Sequence, residues 1–262
     1  PRAFSLFFLL LLIFPATAQQ AEESTFHLYL IGDAGEHTVQ QASYKEFLHR
    51  QLKNDTVPSA IVFLGDNIYP KGMPDEKNRL RRRTEEIMLA QLDLAKEFNG
   101  NIFFVPGNHD WKRGSAEGLK YVMNQQAWVD SLNRDNIKVL PGDGCPGPVE
   151  IPLNENFVLV VINTQWWLHP WDKPQGETST CDCKTEVDVL VQLDDMLRRN
   201  SGKRVVVAGH HPILTYGEHG GMYSFKDHVF PLAALNKNLY IPLPIVGSIY
   251  PLYRKFFGDI QD

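Results

Sequence analysis

Polar side chains of metal-binding type follow four short apolar segments of this 262-residue chain. The four stretches read Gly32-Asp33-Ala34-Gly35, Gly65-Asp66-Asn67-Ile68-Tyr69, Gly107-Asn108-His109-Asp110 and Gly209-His210-His211-Pro212. In open α/β sheets the carboxyl ends of the strands meet along one edge, so these side chains are expected to lie close together. A glycine opens each stretch, and glycine lets the backbone turn sharply and approach a neighbour closely.

Carboxylate and amide oxygens combined with imidazole nitrogens suit borderline-to-hard divalent or trivalent metal ions. A carboxylate such as Asp66 can bridge two ions. A single Gly-Asp or Gly-His pair would be read as a turn or a cap. Four such pairs, all at strand ends and with no cysteine among them, predict a metal site.

The elements that must position these residues are alternating strands and helices. Helical patterns cover Thr38–Asn54, Glu76–Phe98 and Lys184–Arg199. Mostly β-branched or aromatic runs predict strands at Phe26–Ile31, Ala60–Leu64, Ile102–Val105, Phe157–Ile162 and Val205–Ala208. The alternation predicts one α/β domain with no internal linker. The formal charge of -5 argues against nucleic acid as a partner, because nucleic-acid binders are usually basic.

The four stretches, taken in order, resemble the sequence blocks of the calcineurin-like metallophosphoesterases and, more narrowly, of the small purple acid phosphatases. Most of that superfamily has Asp-x-His in the first block, whereas this chain has Gly35 at the third position. Purple acid phosphatases share this departure and use a tyrosine of the second block, where this chain has Tyr69. The resemblance implies an αββα sandwich, in which two packed, mostly parallel or mixed sheets are flanked by helices.

The resemblance also implies a set of metal ligands. Asp33 and Tyr69 would bind the first metal, Asp66 would bridge both, and Asn108 and His210 would bind the second. The implied ions are Fe(III) and a divalent ion of iron, zinc or manganese, because a strongly charged ion can hold a phenolate.

Three further residues receive catalytic roles from the resemblance. His109 would lie beside the metals near the substrate, with Asp110 orienting it, and His219 in Glu218-His219-Gly220 would face the substrate. Either histidine could donate a proton to the leaving group or stabilise charge on the phosphate, and the sequence does not separate these roles.

One family block has no match in this chain. The family ends with a Gly-His-x-His turn, but after His219 the chain offers only His228, whose surroundings do not fit. The domain, placed at residues 19–262, is therefore expected to be incomplete at its C-terminus, with the last block, and room for further domains, downstream of Asp262. The alternative is a degenerate homologue that never binds two metals.

The N-terminal residues have the composition of a secretory signal peptide. Arg2 precedes an unbroken apolar run from Leu6 to Phe14, and an Ala16-Thr17-Ala18 cleavage site follows. Such a run is too short to span a bilayer. We therefore predict a signal peptide at residues 1–18, an extracytoplasmic location (periplasmic or at the cell surface) and no membrane span in this segment.

Two residue clusters leave alternatives open. In an oxidising compartment Cys145 could pair with either Cys181 or Cys183, leaving one thiol over. The tryptophans 166, 167 and 171 could form an aromatic wall for an organic leaving group, or they could pack a loop, which is the commoner role.

Together these observations predict a secreted binuclear metallophosphatase that hydrolyses small phosphate monoesters with a metal-activated hydroxide. Two alternatives stay open: a phosphodiesterase or nucleotidase of the same superfamily, and a non-catalytic domain of this fold within a larger cell-surface protein.

Overall fold

The computed structural model describes residues 25–36, 39–96, 98–214, 223–234, 236, 238–249 and 251–253. The predicted signal peptide, the cleavage site and His219 lie outside these residues. Every helix within the described ranges is too short or too polar to cross a lipid bilayer.

Strands and helices alternate along the chain. The strands are β1 (His27–Ile31), β2 (Ser59–Phe63), β3 (Asn101–Phe104), β4 (Ile137–Val139), β5 (Val149–Pro152), β6 (Phe157–Val161) and β7 (Arg204–Ala208). The helices are α1 (Val39–Asn54), α2 (Arg81–Leu94), α3 (Gly118–Ser131), α4 (Thr164–Leu168), α5 (Glu186–Arg199) and α6 (Phe225–Val229). Short 3-10 helices cover Pro231–Ala234 and Val246–Ser248.

The strands form two sheets. The four-stranded sheet has the order β1-β2-β3-β4, and all its neighbours are parallel. The three-stranded sheet has the order β5-β6-β7, with β5 antiparallel and β7 parallel to β6. Because β1, β2 and β3 are parallel neighbours, the turns that follow them lie side by side at one edge.

Alternate side chains of each strand face different layers, as the two-residue period of a strand requires. Ile61 and Phe63 of β2 pack against α1 and α2, while Ala60 and Val62 pack against the three-stranded sheet. On the far side of that sheet, Val158 and Val160 pack against Met196 of α5. Three apolar layers therefore separate helices, sheet, sheet and helix, which confirms the αββα sandwich.

All five predicted strands and the three predicted helices are present, with shifted boundaries. Helix α2 begins at Arg81 instead of Glu76 because the Asn78 side chain accepts a hydrogen bond from the Leu80 N–H at 2.9 Å and holds a turn there. Helix α5 begins after Thr185, which forms a capping box with Asp188. The sequence patterns missed β4, β5, α3, α4 and α6.

A disulfide joins Cys145, in the loop before β5, to Cys181, in the loop before α5. Cys183 is a buried free thiol. The structure therefore selects Cys181 from the two partners that the sequence left open for Cys145.

Removing this disulfide should lower the stability of the fold. The bridge closes a loop with a sequence separation of 36 residues, so its loss should lower the free energy of unfolding by about 3–4 kcal/mol through loop entropy in the unfolded chain. Urea denaturation of Cys145→Ser/Cys181→Ser against wild type measures this. Cys183→Ser is the matched control, and an equal loss in that variant would contradict the assignment.

His169, which follows α4, is a buried neutral histidine. It is 1% exposed, and its ring packs on Trp111 with centroids 4.7 Å apart. Within the described residues, neither ring nitrogen has a hydrogen-bond partner. Burial, followed by the nearby Lys173 charge, lowers the pKa of His169 to about 4, while Asp172 acts to raise it.

His169 should make the fold sensitive to acid. Its pKa lies near 6.5 in the unfolded chain and about 4 in the folded one, so the stability it contributes is complete above pH 6.5 and is lost as the pH falls towards 4. Between pH 7 and pH 4, wild type should lose about 3 kcal/mol more than His169→Phe in denaturant titrations. Parallel losses in the two proteins would contradict a neutral buried imidazole.

Candidate metal centre

The turns after β1 and β2 place two aspartates in the same unusual backbone conformation. Asp33 has φ 56° and Asp66 has φ 54°, in the left-handed region that L-residues rarely adopt. The turns hold each other, since the Asp33 N–H donates to the Gly65 carbonyl at 3.1 Å and the Gly35 N–H donates to the Asp66 carbonyl at 3.0 Å. This mutual support maintains a conformation that costs roughly 1–3 kcal/mol per residue.

Tyr69 brings a third oxygen to these two carboxylates. Its hydroxyl oxygen lies 2.7 Å from Asp33 Oδ1 and 2.7 Å from Asp66 Oδ2. A hydroxyl carries one hydrogen and can donate it to only one of these oxygens at a time. Burial, followed by the Asp66 charge, raises the pKa of the Tyr69 phenol far above its ordinary value. A cation among the three oxygens would satisfy them all, so this group of side chains fits a metal ion.

Asn108 and His210 meet the other side of Asp66. The Nε2 atom of His210 lies 3.1 Å from Asn108 Oδ1 and 3.4 Å from Asp66 Oδ1. The opposite ring nitrogen, Nδ1, lies 2.8 Å from the Leu64 carbonyl and can only donate to it. In the neutral ring Nε2 then directs a lone pair towards two oxygens, an arrangement that a cation between them would make favourable.

The Asp66 carboxylate is shared by both groups. It is 3% exposed; Oδ2 faces Tyr69, whereas Oδ1 faces His210 and accepts the backbone N–H of His109 at 2.9 Å. In the part of the chain that the structure describes, no three His, Cys, Asp or Glu side chains alone form a metal-binding group. The ligand set depends on a phenol and a carboxamide as well, and these donors with carboxylate and imidazole fit two hard-to-borderline cations.

Close backbone approach is required at Gly107. A Cβ there would lie 2.4 Å from both the backbone nitrogen and Oδ1 of Asp66. The expectation of close approach therefore holds at Gly107. It is wrong at Gly32, where a Cβ would meet no described atom within 4 Å.

The space beside Gly35 is closed to any side chain. A Cβ at Gly35 would lie 2.3 Å from the Asn67 carbonyl carbon and 2.5 Å from the Ile68 nitrogen. No side chain can stand there without displacing the Asp66 turn. The side chain that lies beside Asp33 and Asp66 is instead the phenol of Tyr69.

His109 is held at the rim of the site. Its Nδ1 lies 2.8 Å from the Pro70 carbonyl, its ring packs on Tyr69 with centroids 4.1 Å apart, and Nε2 lies 3.9 Å from Asp66 Oδ2. Since Nδ1 can only donate to a carbonyl oxygen, Nε2 is the nitrogen that faces the site and can exchange a proton.

The prediction that Asp110 orients His109 is wrong. Asp110 is fully buried, and its carboxylate accepts N–H groups from Gly107 at 2.8 Å, Asn67 at 3.2 Å and Ile68 at 3.1 Å, together with the Asn67 side-chain amide at 3.1 Å. Among the described residues its hydrogen bonds therefore reach the two turns, and the His109 ring is held by Pro70. Burial, followed by the Asp66 charge, acts to raise the pKa of Asp110, while these N–H groups act to lower it and favour the carboxylate.

Two supporting residues escaped the sequence analysis. Asn67 is fully buried and joins the β2 turn to β3, donating to the Val105 carbonyl at 2.8 Å. Thr164 Oγ1 lies 2.8 Å from His211 Nδ1 and accepts the His211 N–H at 3.0 Å, so Thr164 supports the turn that carries His210. In the sequence both residues look like ordinary turn or cap residues.

Comparison with known proteins agrees with this geometry. The family model for calcineurin-like phosphoesterases matches residues 26–241, and the chain belongs to that family. The chain is similar to Purple acid phosphatase 4 of Arabidopsis thaliana, with 24% identity over 229 residues. The match covers 85% of this chain and 62% of the plant protein's length.

Asp110→Asn should destabilise the fold. The variant turns an amide NH2 towards N–H donors and removes the charge that accepts them, which should lower the free energy of unfolding by about 3 kcal/mol. Urea denaturation measures the change. Asp93→Asn, on the exposed side of α2, is the control, and equal stabilities of the two variants would contradict the structural role of Asp110.

Proposed function

We propose that this chain is the metallophosphatase domain of an extracytoplasmic enzyme that hydrolyses phosphate monoesters. The observation that carries the proposal is the shared Asp66 carboxylate, with Tyr69 and Asp33 on one side and Asn108 and His210 on the other. Membership of the calcineurin-like phosphoesterase family supports two bound metals and hydrolysis of phosphate esters. The similarity to a purple acid phosphatase supports the monoester substrate.

The Cys145–Cys181 disulfide supports an oxidising, extracytoplasmic compartment, as does the predicted signal peptide. Tyr69 supports Fe(III) as one of the two ions, with iron, zinc or manganese as the divalent partner, because a highly charged ion favours the phenolate.

The side chains of the site divide the work of hydrolysis. Bound cations would neutralise charge on the phosphate and lower the pKa of a water molecule. Asp66, which accepts the His109 N–H, fixes the position of the Tyr69 side of the site relative to the His210 side. Nε2 is the ring nitrogen of His109 that would donate to the leaving oxygen, because Nδ1 is bound to the Pro70 carbonyl. His219 remains a second candidate for that proton transfer.

The proposal predicts linked losses of metal and activity in Asp66→Ala. We expect two metal ions per chain in the purified full-length wild-type protein, and at least one fewer in the variant. Hydrolysis of p-nitrophenyl phosphate should fall by more than about 100-fold, since even outer-shell partners of metal ligands are worth roughly 10- to 100-fold. His49→Ala, on α1, is the control and should retain both properties.

Wild-type protein that binds fewer than two metals, or an Asp66→Ala variant as active as wild type, would overturn the proposal. A visible absorption band that disappears in Tyr69→Phe supports Fe(III), whereas a colourless active protein points to zinc or manganese. Faster hydrolysis of bis(p-nitrophenyl) phosphate than of the monoester would assign the enzyme to diesters instead.

A further inference from the structure

The three tryptophans after β6 have separate roles in the structure. Trp166 is 1% exposed, its Nε1 donates to the Pro174 carbonyl at 2.8 Å, and the Lys173 ammonium lies 4.5 Å from its ring centre. Trp166 is thus a packing residue. Trp171 is exposed, whereas Trp167 is half-buried with part of its indole open.

Trp167 lies on the face of α4 that meets the histidine turn of the metal centre. Thr164 and Trp167 are three residues apart, so they share one side of the helix. Thr164 is bonded to the ring and the backbone of His211, and the His211 ring contacts the His210 ring with centroids 4.8 Å apart. Trp167 therefore lies one helical turn from Thr164, on the side of α4 that holds the His210–His211 turn.

Trp166 and the capped ends of helix α4 fix the position of Trp167. The Trp166 ring stands edge-on to it at 86°, with centroids 5.9 Å apart. Helix α4 is capped by Asn163, whose side chain accepts the Trp166 N–H, and its end is bound by the Lys173 ammonium, which donates to the Trp166 carbonyl. A rigid aromatic face of this kind binds another ring at little cost in conformational entropy.

We propose that Trp167 forms the leaving-group subsite and selects phosphate esters whose organic group carries an aromatic ring. The inference rests on the proposed function. An ester whose phosphate lies between Asp66 and His210 must leave its organic group at the rim, where Trp167 offers a large apolar surface. Stacking of one ring on this indole would favour an aromatic ester over a saturated one of the same size.

The test compares benzyl phosphate with cyclohexylmethyl phosphate, which have leaving groups of similar size and chemistry but differ in aromaticity. In the metal-loaded full-length protein, Trp167→Ala should lower kcat/KM for benzyl phosphate about 10-fold, mainly through KM, because stacking is worth about 1–3 kcal/mol per ring. The value for cyclohexylmethyl phosphate should change less than about 3-fold. Trp167→Phe should retain the preference, and Trp171→Ala is the matched control.

An equal fall for both esters in Trp167→Ala, or no fall for either, would overturn the subsite. A second measurement is independent of turnover: benzyl phosphate should shift the indole N–H resonance of Trp167, identified by its loss in Trp167→Phe, more than cyclohexylmethyl phosphate does. If wild type hydrolyses neither ester nor p-nitrophenyl phosphate, the proposed function fails, while the resonance still decides whether Trp167 binds the aromatic ring. Equal shifts with the two esters would reject the subsite.

Discussion

The buried Asp110 carboxylate joins the turn after β2 to the turn after β3. An isolated carboxylate in the interior would cost several kcal/mol, and four N–H groups offset that cost here. Three of these donors belong to the backbone beside Asp66 and Asn108. The same contact therefore fixes the positions of the Asp66 carboxylate and of the Asn108 turn, so the candidate metal centre depends on a buried carboxylate outside the proposed ligand set.

The second constraint is steric. Gly107 and Gly35 leave room for the Asp66 turn, and the backbone of that turn occupies the space that their side chains would need. The first half of the site is therefore completed from Tyr69, which reaches Asp33 and Asp66 together. The Asp66 turn and a side chain at position 35 exclude each other, which gives a physical reason for the glycine at that position.

The places of five strands along the chain and the grouping of strand-end residues could be predicted because both depend on local patterns. A continuous apolar run such as Phe157–Val161 is recognisable in the sequence as a buried strand. Parallel strands then bring their ends to one edge of the sheet. The three-residue strand Ile137–Val139 is too short to give such a pattern. The role of Asp110 depends on partners 43 residues away, and adjacency to His109 in the sequence suggested the wrong contact.

His210 connects the two sheets as well as completing the site. It follows β7 of the three-stranded sheet, yet its Nδ1 holds the Leu64 carbonyl at the end of β2 in the four-stranded sheet. The opposite nitrogen of the same ring, Nε2, points towards Asp66 and Asn108. A ligand held at Nε2 thus also strengthens the cohesion between the sheets, and part of its binding free energy becomes folding free energy of the sandwich.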